Sequence, residues 1–409
     1  MSATTVEQAA AVAPGRERAG AAARIGSIDL MRGIVMIIMA IDHTRDFWDP
    51  TPYDPADLSK ASAALFLTRW ITHFCAPTFM FLAGTSAWLW ARNTNASRAA
   101  QQRFLASRGL WLVFLELTAI SFSWRFDFNG VILQVIWALG WCMVILAGLL
   151  WLPRRAILAF GLLLVFGHNA FDGVHFKDLA AHGEGWAWLW SAVHEFHLGS
   201  FGSFGGYQVA LGYPLVPWCG VMALGYCFGE LLGQPAAVRD RWMRILGASA
   251  IALFLLLRLG NVYGEAQPWL PNPRGALYTA LGALNVTKYP PSLDYLLMTL
   301  GPVLLLLPWL ERQRGAWVKP VSVFGRVPFF FYLLHLPLLH LGATIAAELA
   351  YGVKAGPAFL GNGLPAGYEP SLLRLYLVWA IAVLILYPLC KWYAGYKSRH
   401  KEQWWLSYL

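Results

Sequence analysis

The chain has 409 residues, 58% of them hydrophobic and only 13% charged, and it carries 21 Trp. This excludes an ordinary soluble domain, where about 25% of residues are charged, and points to a polytopic protein whose first partner is the lipid bilayer. The net charge of +9 lies mostly in connections between apolar stretches, and no motif supports a nucleic-acid partner.

The first 23 residues are Ala-rich, with Arg16 and Arg18 but no apolar core. They are expected to be a disordered cytoplasmic tail, not a cleavable signal peptide. Stretches of spanning length or near it follow at Leu30–Phe47, Ile71–Trp90, Leu110–Phe122, Val131–Leu152, Ile157–Phe171, Val209–Leu232, Ile245–Leu259, Tyr295–Leu310, Val327–Leu349 and Leu372–Tyr393. With the N-terminus inside, every inside connection is basic, from Arg92–Arg108 through Arg154 and Arg155 to Lys397–Lys401. Positive residues are retained on the cytoplasmic side, so the pattern sets both the orientation and the span count. The expected fold is all-α: a polytopic transmembrane helix bundle of about ten spans with both termini cytoplasmic. Residues 24–396 form one transmembrane domain and 397–409 a cytoplasmic C-terminal tail. Five cysteines are an odd number without metal-type spacing, so no disulfide framework is expected.

The first span holds the strongest chemical signal, RIGSIDLMRGIVMIIMAIDHTRDFW. In a helix, Arg32 and His43 fall on one face about 16 Å apart, roughly half a bilayer core. Asp29 can neutralise Arg32 one turn away, and Asp42 and Asp46 flank His43. Ionisable groups inside a span mark functional sites by default. Arg32 could attract an anionic donor or simply pair with Asp29 and snorkel. His43 has the chemistry of a base or nucleophile at the outer mouth.

Further along, His73 enters the second span from the same outer end, ahead of a small face at Gly84, Thr85 and Ser86 suited to helix packing. Glu116 lies deep in the third span and needs a partner, such as Arg32, or a proton. An outer loop holds His175, His182, His194 and His197, but HEFH is a weak match to metal-ligand spacing, and no metal is expected. Lys288 and Tyr289 precede two prolines, and Asp294 then opens the eighth span, an arrangement suited to aiming side chains at the mouth or to a first-turn acid. In the ninth span His335 lies about 12 Å deep beside Pro337, where a histidine has a functional reading. His340 is more ambiguous.

The segments SIDLMRGIVMIIMAIDH, PTFMFLAGTS and FGRVPFFFYLLHLPL together resemble the bacterial membrane family related to the catalytic domain of heparan-alpha-glucosaminide N-acetyltransferase, within the wider clan of membrane acyltransferases. The similarity in order and spacing extends over nearly the whole chain from Arg24. The resemblance implies transfer of an acetyl group from cytoplasmic acetyl-CoA to an amine or hydroxyl of a sugar on the far side of the cell (inner) membrane, with a histidine at the centre. His43 matches the histidine at the outer end of the first family helix, and Arg32 the arginine before the glycine.

On that basis His43, Asp42, Asp46, His335 and Asp294 are the candidate catalytic residues. Asp29, Arg32 and Glu116 are candidates for the acetyl-CoA path, and His73, Lys288 and Tyr289 for holding a sugar or glycan acceptor. A homodimer is an open assembly. Two rivals from other classes are a secondary transporter, which should show paired broken helices, and a haem protein ligated by His43, His73, His335 and His340.

Overall fold

The computed structural model describes residues 26–201, 207–353 and 365–408. The expected tail 1–23 and part of the connection Ala350–Ser371 lie outside the described residues. Each apolar stretch contains a helix. In the first half these are α1 (Gly26–Trp48), α2 (Ala63–Ile71), α3 (Cys75–Thr94), α4 (Arg98–Leu115), α5 (Ser121–Arg125), α6 (Val135–Leu149) and α7 (Arg154–Gly167). The short α8 (Phe176–Ala180) and α9 (Glu184–Val193) follow in an inter-span connection. The second half comprises α10 (Leu215–Phe228), α11 (Ala236–Gly260), α12 (Ala276–Leu284), α13 (Leu293–Glu311), α14 (Val318–Arg326), α15 (Pro328–Tyr351) and α16 (Leu372–Arg399).

Among the described residues seven helical runs are long and apolar enough to cross a membrane, beginning with Ala63–Thr94 and Arg98–Arg125 and ending with Leu372–Arg399. The protein is thus a multi-pass membrane protein. The other three expected spans are helical but differ in kind. The 23-residue α1 is long enough but interrupted by Asp29, Arg32, Asp42, Arg45 and Asp46. The 15 residues of α6 and 14 of α7 reach only about 21–23 Å at 1.5 Å per residue, short of a roughly 30 Å core.

One departure from an all-α fold is a three-stranded sheet in the order β1 (Gly130–Leu133), β3 (Tyr207–Leu211), β2 (His197–Phe201). Val131 and Val209, expected to open spans, lie in β1 and β3, which pair in parallel. The helical runs start only after Gln134 and Pro214, their N-caps. Four or five apolar residues bounded by Gly and Pro are too few for a helix and suit a buried strand. Beyond the last helix, Leu406 is buried and the Tyr408 hydroxyl bonds Ser107 of α4 at 2.8 Å, so the expected C-terminal tail folds back onto the bundle.

The bundle closes through small residues. A methyl group at Gly325 of α14 would collide with the Asp29 carbonyl oxygen of α1, and one at Gly84 of α3 with that of Met222 on α10. Thr85 adds a 3.0 Å hydrogen bond to the Gly225 carbonyl, so the Gly84–Thr85 face packs α3 against α10. Without water to drive helices together in lipid, close packing of this kind holds them. Gly325→Val should therefore lower the thermal unfolding midpoint of the detergent-solubilised protein, through an overpacking cost of about 1–3 kcal/mol or more. An unchanged midpoint would contradict the α1–α14 crossing.

Candidate active site

The last two turns of α1 present Met39, Asp42, His43 and Asp46 to a cavity of about 1070 Å³. Its other walls come from residues 50–57, the start of α3, the sheet through Ile132, Leu198 and Ala210, and residues 285–289. His73, Lys288 and Tyr289 also line it. Six sequence candidates on α1 and two distant segments, Asp42, His43, Asp46, His73, Lys288 and Tyr289, therefore meet around one space.

Asp42 is the electrostatic hub. Its Oδ1 lies 2.5 Å from Arg45 Nη1, and its Oδ2 lies 2.5 Å from Arg69 Nη1 and 3.7 Å from Lys288 Nζ. Arg45 is shared with Asp46 at 2.6 Å. Lys288 in turn sits 5.1 Å from the Tyr289 ring centroid. Burial raises the Tyr289 phenol, but the Lys288 and Arg69 cations outweigh burial and hold it below its ordinary value. Arg45 and Arg69 were not among the sequence candidates. Their signal lies in the sequence, since both are basic residues at the edges of apolar stretches.

His43 and His335 meet directly, with His43 Nδ1 2.6 Å from His335 Nε2. The roles in this bond follow from the next one. His335 Nδ1 lies 2.7 Å from the Tyr332 carbonyl and 3.2 Å from that of Phe331. A carbonyl only accepts, so His335 Nδ1 carries the hydrogen and, in the neutral ring, Nε2 accepts. His43 Nδ1–H must then donate to it, which leaves the lone pair on His43 Nε2. The Trp124 ring stands edge-on to His43 at 5.1 Å, and the His335 ring stacks on it at 4.9 Å. The imidazole is thus held on two sides with its basic nitrogen free for chemistry.

The remaining candidates lie elsewhere. Arg32 pairs with Asp29 at 3.6 Å and donates to the Leu82 carbonyl at 3.2 Å and to the Ser86 hydroxyl. Neither residue lines the cavity, whose α1 wall begins at Met39. Glu116 finds its partners in the backbone: it accepts from the N–H groups of Gln134 at 2.9 Å and Trp137 at 3.1 Å. These are unsatisfied donors of the first turn of α6, where a carboxylate is favoured by the helix dipole. Glu116 opens a π-helical turn, Glu116–Ile120, and so anchors Gln134, a cavity-lining residue.

Asp294 is fully buried and lines a separate cavity of about 160 Å³ with Arg258 and Glu265. The two cavities share Glu265. His340 bonds the Ser123 carbonyl at 2.9 Å and stacks on Phe126. In the connection between α7 and α10 His194 pairs with Asp172 and His175 with Glu195, each at 3.3 Å. Among the described residues no cluster of three or more His, Cys, Asp or Glu is arranged to hold a metal ion.

Residues 24–260 match the family model described as heparan-alpha-glucosaminide N-acetyltransferase, catalytic. No curated protein matches the chain. His43, Arg69 and Glu116 fall within the matched residues, whereas Lys288 and His335 lie beyond them.

Glu116→Ala should destabilise the protein by about 1–3 kcal/mol, the cost of leaving buried donors unpaired, and Glu116→Gln by less because its amide oxygen still accepts. Unfolding by denaturant in detergent micelles reads the difference. Equal stability of all three proteins would contradict the cap.

Proposed function

Because the chain belongs to the heparan-alpha-glucosaminide N-acetyltransferase catalytic family, we propose that it transfers an acetyl group from acetyl-CoA to an amine or hydroxyl of a sugar, with His43 as the base. The observation that carries this reading is the His43–His335 contact at the cavity wall. As the acceptor nitrogen or oxygen attacks the thioester carbon, its proton passes to His43 Nε2 and the carbon–sulfur bond breaks. The departing CoA thiolate then takes the proton back. His335 is a positioning residue in this scheme. It fixes the tautomer of His43 and accepts from the imidazolium that forms, as the orienting member of a catalytic triad does.

The cation cluster around Asp42 sits on the same wall as His43. In this reading Lys288, Tyr289 and His73, all part of the cavity lining, hold the acceptor. Asp294, in its separate cavity, would act through Glu265 rather than on the substrate. We place the Arg32 end of α1 at the cytoplasmic face of the cell membrane, where Asp29 and Arg32 would mark the approach of CoA phosphates. The basic inside connections support this sidedness. The haem reading is disfavoured for this pair, since Nδ1 of His43 and both nitrogens of His335 are already engaged in hydrogen bonds.

Release of CoA thiol by the detergent-purified protein, with acetyl-CoA and a panel of amino sugars, tests the proposal. Acceptor-dependent release should vanish in His43→Ala. In His335→Phe, which keeps a ring but removes the acceptor nitrogen, kcat should fall by about 10²–10⁴-fold with the KM for acetyl-CoA little changed. Undiminished release by His43→Ala would overturn the assignment.

A further inference from the structure

The two lips of the cavity mouth differ in character. One is the loop 50–57, which carries Asp54 and Asp57. The other is β2 and the residue before it, where Phe196 and Leu198 both line the cavity and remain 46% and 43% exposed. In a strand, residues two apart share a face. The intervening His197 points the other way, stacked on Phe176 at 3.7 Å and edge-on to Trp188 of α9 at 4.8 Å.

The sequence of α9, EGWAWLWSAV, is apolar all round apart from Glu184 and Ser191. Its inner face buries Ala187, Trp188 and Ser191. Its outer face presents Trp186 and Leu189, three residues apart, at 64% and 55% exposure. Such a face is costly in water and characteristic of a helix lying in the headgroup region, where Trp is enriched. The apolar lip of the cavity and this outer face are the two sides of one β2–α9 layer. The apolar lip therefore stands next to a helix whose outer face suits the headgroup region, with His197 and Trp188 packed between the two.

We propose that the acceptor is a membrane-borne amphiphile: an amino sugar or hydroxyl sugar headgroup in the cavity near His43, with its hydrocarbon chain passing over Phe196 and Leu198 into the bilayer. The proposal rests on the acetyltransferase reading for what happens to the headgroup. The binding geometry stands without it. A cavity with an acidic lip and an apolar lip fits an amphiphile better than a free, uniformly polar saccharide, which would leave Phe196 and Leu198 facing water.

The test compares binding of dodecyl and methyl 2-amino-2-deoxyglucosides, by calorimetry, to the full chain in phosphatidylcholine nanodiscs. The wild type should bind the dodecyl glycoside at least tenfold more tightly. The Phe196→Ser/Leu198→Ser variant should lose that preference while its affinity for the methyl glycoside stays within twofold. Equal affinities in the wild type, or a preference that survives in the variant and so reflects partition into lipid, would overturn the proposal.

A nitroxide at Leu189→Cys gives a second readout that is independent of the variant's folding. Relaxation by oxygen should exceed relaxation by a water-soluble nickel chelate, and the reverse would place α9 in water and sink the idea. Acetyl transfer is followed on the same samples. Intact binding preference with no transfer to either glycoside would leave the amphiphile site standing and count against the acetyltransferase reading.

Discussion

A charge taken out of water has to be matched where it is buried, and around Asp42 this requirement organises the candidate site. Arg45 comes from the same helix, Arg69 from α2 and Lys288 from the segment before α13. Removing any one of these cations would leave a buried charge short of its partners, which costs far more than the pair contributes when complete. The chain must therefore bring two further segments to one carboxylate, and His43 is the next residue along. Asp42 and His43 share a helix turn, so the position of the imidazole is set by the same contacts that neutralise Asp42.

The second support is made from hydrogen bonds with a single direction. Carbonyl groups of Tyr332 and Phe331 dictate the tautomer of His335, and His335 dictates that of His43. The backbone of α15 thus decides which nitrogen of a side chain on α1 is basic. Glu116 plays a comparable part for the opposite wall, since its carboxylate caps α6 and fixes Gln134 at the cavity surface. Buried polar groups in this bundle are mostly used to position other groups.

Much of this was legible in the sequence. Asp42 and Asp46 at the far end of the first span, the depth of His335 and the prolines after Tyr289 point to residues that the fold brings to one cavity or its wall, whereas Asp29 and Arg32 of the same span stay outside it. Local periodicity can reveal such things because the helix face is a local property. What it could not reveal were pairings across long stretches of chain: the His43–His335 contact joins residues 292 apart, and Arg69 reaches Asp42 from what read as a loop. Asp294 lies apart from the main cavity for a related reason. It lies six residues beyond Lys288, and the turn into α13 carries it to a different cavity. The sheet escaped notice because its strands are too short to show a period and adjoin apolar helices.

That sheet ties the making of the site to the order of synthesis. β1 has its parallel partner in β3, Gly130 with Gln208 and Leu133 with Leu211, so the first strand leaves the ribosome long before the second exists. Lys288 and then His335 arrive later still. A nascent chain carrying the whole family-matched region would already hold the helix bearing His43, yet neither the ring that sets its tautomer nor the lysine beside Asp42. Because non-local contacts are rewarded only after their loop-closure cost has been met, the surroundings of His43 are among the last parts of the molecule to form. The helix that carries His43 is thus made well before the residues that complete its surroundings.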